Sequence, residues 1–178
     1  MAWRDASISH IKNGIYGEML VAAMIAAAAT TNNTEKIISE GLAQIPHTSR
    51  LYEDITAVLD GYKNGVSQKD CFSKIHEKYN EYDGHDWCHT ISNAMIVAAS
   101  LLYGNGDYGK SICMAVEAGF DTDCNGATVG SILGMANGIE SISKDWTDPI
   151  HDTLHTSIFG VGTLKISDRT KMTLEHII

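Results

Sequence analysis

The stretch Gly119-Phe120-Asp121-Thr122-Asp123-Cys124-Asn125-Gly126 decides how the rest of the chain reads. Two carboxylates stand two residues apart, and a nearly charge-free run follows with glycine at 126, 130, 134 and 138. That run predicts a helix over 122–139 with its glycines on one stripe. Glycine inside a helix costs about 1 kcal/mol relative to alanine. Four of them predict a backbone neighbour at close range, and with it a buried central helix. Asp, Thr and Asn all make good N-caps, but one cap is enough. The helix dipole favours negative charge at this end by only ~0.3–1 kcal/mol. A hard divalent cation held by carboxylate oxygens accounts for the surplus acid.

The order Asp121-x-Asp123-x-Asn125-Gly126 matches the opening of an EF-hand loop. Such a loop needs a bidentate Glu at its twelfth position, and Ile132 stands there. What remains is a Mg²⁺-type site fed by Asp121 and Asp123, with further ligands drawn from elsewhere in the fold.

The chain around this motif is that of an ordinary globular protein. It has 178 residues, 44% hydrophobic and 20% charged, which fits a single domain over 1–178. Only Pro46 and Pro149 interrupt it, and alanine is abundant, so helices are favoured. Patterning and caps predict helices over 8–29, 34–42, 48–62, 67–79, 90–103 and 107–118, and a short last one opening at Ser167-Asp168. No segment alternates as a strand does. The fold class is therefore all-α, with roughly eight helices around one core.

A net charge of −9 without any Lys/Arg cluster excludes a nucleic-acid groove. The apolar run 19–29 is too short to span a bilayer, which takes about 20 apolar residues, so no membrane span is expected. Cys71, Cys88, Cys113 and Cys124 form no C-x-x-C pair and read as reduced thiols of a cytoplasmic protein.

The acid–glycine motif resembles the carboxy-terminal signature of the ADP-ribosylglycohydrolase family, G-[GF]-D-T-D-T-N-x-A followed by a small-residue helix. Ser9-His10 ahead of an apolar helix, Ile45-Pro46-x-x-Ser49-Arg50-Leu51, Asn93, Gly106-Asp107-Tyr108 and Trp146-x-x-Pro149 resemble the same family. The resemblance implies a compact orthogonal multi-helix bundle that binds Mg²⁺ and hydrolyses the glycosidic bond at the anomeric ribose carbon of ADP-ribose conjugates. It makes Asp121, Asp123 and Cys124 the metal-ligand positions. Position 124, usually a ligating Thr, is Cys124, and a thiol suits Mg²⁺ poorly. His10 matches a Ser/Thr-His position near the substrate ribose, and Asn93 and Phe120 are further expected substrate contacts.

Family members carry an upstream hydroxyl–Asp–Asp motif that completes the metal pair, and this chain contains no Asp-Asp dipeptide. The resemblance therefore covers the carboxy-terminal portion of a longer domain, lacking its amino-terminal part. The missing ligands are expected from a longer chain or a partner. Both acids of the motif are committed to metal, and no free general base is assignable. The alternative function is accordingly a non-catalytic relative that keeps the fold with weak metal or ADP-ribose binding.

Other clusters are weaker. His151 and His155 stand at i, i+4 like a zincin pair, but Asp152 replaces the Glu and no third ligand is evident. His85, Cys88 and His89 have zinc-like content without a fourth ligand. The segment 80–87 reads instead as a loop lining a ligand cleft, with Trp87 and His89 available for stacking and polar contacts. Cys124 as a nucleophile would need a lowered pKa, which neighbouring acids oppose.

Overall fold

The computed structural model describes residues 1–176. The chain divides into two compact units, Met1–Ser141 and Ile142–Ile178. The first holds α1 (Ala2–Ala6), α2 (Asn13–Ala28), α3 (Thr34–Leu42), α4 (Arg50–Lys63), α5 (Gln68–Lys78), α6 (Thr90–Gly104), α7 (Tyr108–Glu117) and α8 (Thr122–Asn137). A 3₁₀ turn, Ile139–Ser141, follows. The second holds α9 (Lys144–Thr147), a 3₁₀ turn at Asp148–Ile150, β1 (Thr153–His155), β2 (Thr163–Lys165) and α10 (Ile166–Leu174). The architecture is all-α apart from the β1–β2 hairpin, in which Leu154 faces Leu164.

Local chemistry sets most helix starts. Asn33, Ser49, Ser67 and Asp107 each accept a backbone N–H of the first turn through the side chain, capping α3, α4, α5 and α7. Each cap satisfies one of the otherwise orphaned N–H groups at a helix start.

Three sequence expectations are corrected. The helix expected over 8–29 begins only at Asn13, because residues 7–12 are a non-helical link after α1 in which Lys12 takes φ 48°. Ser9 Oγ in that link lies 2.7 Å from His10 Nδ1. The helix expected to reach 139 stops at Asn137, where Gly138 turns out at φ 75°. The hairpin in the second unit has strands of three residues, too short to show alternation in the sequence.

The centre of the first unit is α6 rather than α8. Ile91, Met95, Ile96, Ala98, Ala99, Leu101 and Leu102 are all buried, and α6 touches α2, α3, α4, α5, α7 and α8. Fully burying each such Ile or Leu is worth roughly 1.5–3 kcal/mol, so this helix organises the core. In contrast, α8 is two-faced: Asn125, Val129, Ile132 and Leu133 are buried, while Asp123, Cys124 and Ala127 are exposed.

The glycine stripe of α8 has a specific partner. A Cβ on Gly126 would meet Val116 Cγ2 at 3.3 Å, and one on Gly130 would meet Tyr108 Oη at 3.2 Å and Ile112 Cδ1 at 3.3 Å. Tyr108, Ile112 and Val116 stand four apart on α7, so a ridge of side chains fills the glycine groove, the two helices running antiparallel. The close neighbour expected from the glycines is thus a side-chain ridge, not bare backbone.

Candidate metal centre

The motif is delivered by a tight turn between α7 and α8. Gly119 and Phe120 are both left-handed, at φ 78° and 58°. Such a conformation is easy for glycine and rare for a bulky residue. Burial compensates at Phe120, which is 8% exposed and lies with the hydrophobic core, its ring 5.0 Å from that of His76. His76 Nε2 lies 3.0 Å from the Ala118 carbonyl and steadies the same turn. A Cβ at Gly119 would also push aside the Glu81 carboxylate.

Two side chains from outside the motif receive its backbone. Phe120 N–H donates to Glu81 Oε2 at 3.4 Å, and Asp121 N–H donates to Asn93 Oδ1 at 3.0 Å. The same Asn93 oxygen accepts Asn125 Nδ2 at 2.7 Å. Asn93 Nδ2 donates onward to the carbonyls of Trp87 and His89, each at 3.0 Å.

Asp121 occupies the N-cap position of α8 yet makes no side-chain cap bond. Asn33, Ser49, Ser67 and Asp107 do close such a bond, whereas at Asp121 the first-turn Cys124 N–H only weakly favours the charged carboxylate. Among the described residues, one set of three potential metal ligands gathers: Asp121, Asp123 and Cys124, with ligand atoms within 4.8 Å of one another. Partial burial pushes the Asp121 carboxyl above the usual Asp range, and the neighbouring Asp123 adds to this. Burial and the two carboxylates likewise push the Cys124 thiol up. A protonated thiol is neither an activated nucleophile nor a hard-cation ligand. The two carboxylates do fit a hard cation, whose charge would relieve their crowding.

The other expected site residues divide into two groups. Trp87, His89, Asn93, Phe120 and Asp121 belong to one connected patch through the bonds above. Phe120 is placed in the core, and the Asn93 amide is engaged by protein groups at both ends. Trp87 is exposed, while His89 is half-buried, stacks on Tyr79 at 6.3 Å and meets His85 edge-on at 4.9 Å. His89 Nδ1 accepts the Ile91 N–H at 3.2 Å, capping α6. His10 is exposed before α2, with Ser9 Oγ at 2.7 Å from its Nδ1 and its ring against Gly14. Glu81 went unnoticed in the sequence. It lies 39 residues from its partner and carries no local signature.

The weaker clusters do not assemble. His155 lies in β1 and its Nδ1 meets Thr163 Oγ1 at 2.8 Å, while His151 is in a left-handed turn, so the pair shares no helix face. No helix among the described residues is long and apolar enough to cross a membrane. Comparison with known proteins returned no matching curated protein and no matching solved structure. A family profile described as ADP-ribosylglycohydrolase matches residues 1–174. The fold, the acid–glycine turn and that match over nearly the whole chain together show that this chain belongs to the ADP-ribosylglycohydrolase family.

Proposed function

We propose that the chain acts on ADP-ribose conjugates at the anomeric ribose carbon, and that Asp121 and Asp123 hold a Mg²⁺ ion for this purpose. The observation that carries the reading is the Asp121 carboxylate, gathered with Asp123 at the mouth of α8. An octahedral Mg²⁺ usually takes one or two protein carboxylates and completes its shell with water and substrate oxygens. Bound there, the ion would supply Lewis acidity toward ribose oxygens and a more acidic water.

The chain's own residues orient rather than react. Glu81 and Asn93 fix the turn, Phe120 anchors it, and the exposed Trp87 offers a flat surface for a base or ribose. The same geometry favours weak turnover by this chain alone. Both motif acids are ligands in this reading, and Glu81, the further acid that reaches the turn, is engaged with the Phe120 N–H. A non-catalytic relative that binds Mg²⁺ and ADP-ribose is the second reading, supported by the same lack of a free base.

Calorimetric titration of Mg²⁺ into the wild type and Asp123→Ala tests the centre, alongside an ADP-ribosyl hydrolysis assay. Binding by the wild type that disappears in the variant, with little turnover, is the expected result. Equal binding by both proteins removes the metal centre. Fast Mg²⁺-dependent turnover by the purified chain removes the weak-activity clause and the second reading with it.

A further inference from the structure

Asp121 departs from the other capping residues in one measurable way. Asn33, Ser49, Ser67 and Asp107 have ψ between 108° and 154°, and each turns its side chain onto its helix. Asp121 has φ −85° and ψ 77°, and its side chain closes no such cap bond. Something must hold that backbone against the ordinary capping geometry, which is worth about 1 kcal/mol.

Asn93 is the group in position to do so. Its side-chain oxygen accepts Asp121 N–H at 3.0 Å from the residue before the helix and Asn125 Nδ2 at 2.7 Å from the first turn. One oxygen on α6 thus pins both sides of the α8 start. The arrangement is fully satisfied. Asn125 is 2% exposed, and a buried amide left unpaired would cost about 1–3 kcal/mol. The Asn93 NH₂ group is taken by the carbonyls of Trp87 and His89, which ties it to the 80–89 loop. With its amide so engaged, Asn93 serves better as a brace than as a substrate contact.

We infer that Asn93 is a positioning residue for the cation centre: its side-chain oxygen holds the Asp121 backbone so that the Asp121 carboxylate stands beside Asp123. This inference rests on the proposed Mg²⁺ site. Groups that orient first ligands typically change metal affinity by about 10–100-fold when removed.

The test uses the full chain and Mn²⁺ alone as the probe, followed by electron paramagnetic resonance, on wild type, Asn93→Ala, Asn93→Asp and Asp123→Ala. Circular dichroism confirms that each variant is folded at the working temperature. Asn93→Ala is expected to bind Mn²⁺ about 10-fold more weakly or worse. Asn93→Asp keeps the acceptor oxygen but loses the donor to the Trp87 and His89 carbonyls, so it is expected to recover part of the affinity lost in Asn93→Ala, and no recovery overturns the inference. Wild-type affinity in Asn93→Ala, with binding lost in Asp123→Ala, overturns the inference and leaves the cation site standing. Wild-type affinity in Asp123→Ala overturns the site and the inference together. Should Asn93→Ala fail to fold, amide exchange on the wild type decides. The Asp121 N–H is expected to be protected in cation-free protein, and exchange at the rate of an exposed amide overturns the inference.

Discussion

His89 shows how one side chain links the stability of this protein to pH. Its Nδ1 accepts the Ile91 N–H and caps α6, a role open only to the unprotonated nitrogen. Burial, with His85 and Arg50 nearby, holds its pKa below the ordinary 6.5, and Asp86 opposes them. The folded protein therefore binds fewer protons at this site than the unfolded chain. Stability is full above pH 6.5 and falls as the pH drops from there toward the lowered folded value. Losing such a cap costs about 1 kcal/mol. Urea unfolding of the wild type between pH 7 and pH 5 is expected to show this loss, and His89→Asn, which keeps a capping acceptor that does not titrate, is expected to show a shallower one. Parallel profiles would reject the assignment. At this scale the sequence was partly legible. Asp121 and Asp123 stood out because two acids two residues apart exceed what one helix start needs. The side chains that aim them did not, since Asn93 and Glu81 lie 28 and 39 residues from the backbone they hold.

Helices were legible where their limits are written in neighbouring residues. The starts of α3, α4, α5 and α7 follow from Asn33, Ser49, Ser67 and Asp107, whose caps reach only three residues ahead. The break between α1 and α2 was hidden because Ile8 and Ile11 look like core residues, yet they are 85% and 78% exposed. The glycines of α8 were read as a close-packing stripe, and that holds for Gly126 and Gly130. It does not hold for Gly134, where a Cβ would sit an ordinary 4.0 Å from Tyr108 Cε2. Alanine there gains helix propensity without overpacking. Gly134→Ala is expected to raise stability by roughly 0.5–1 kcal/mol in chemical denaturation. Gly130→Ala must displace Tyr108 Oη and Ile112 Cδ1, so it should give less than Gly134→Ala or a net loss. A larger gain at 130 than at 134 would contradict the packing described for α7 and α8.

For the whole molecule, the distribution of burial is uneven in sequence. Every buried residue among those described lies between Ala6 and Leu133, and none lies in the second unit. No proline, glycine or charge block marks the division after Ser141, which is why the sequence read as one domain. A chain ending at Ser141 is expected to unfold cooperatively, with a thermal midpoint within about 4–8 °C of the full chain, the shift that ~1 kcal/mol produces in a small domain. Loss of the cooperative transition would show that the second unit is needed for the first to fold. The antiparallel fit of the α7 ridge in the α8 groove has one further consequence. Side chains four apart against glycines four apart mesh like teeth, and one tooth is four residues, a little over one helical turn, about 6 Å. The axial position of α8 is thereby indexed in whole steps. Disturbance of that mesh is expected to leave the Asp121–Asp123 pair either in place or a full step away, so loosening it would divide the population between two settings instead of blurring one.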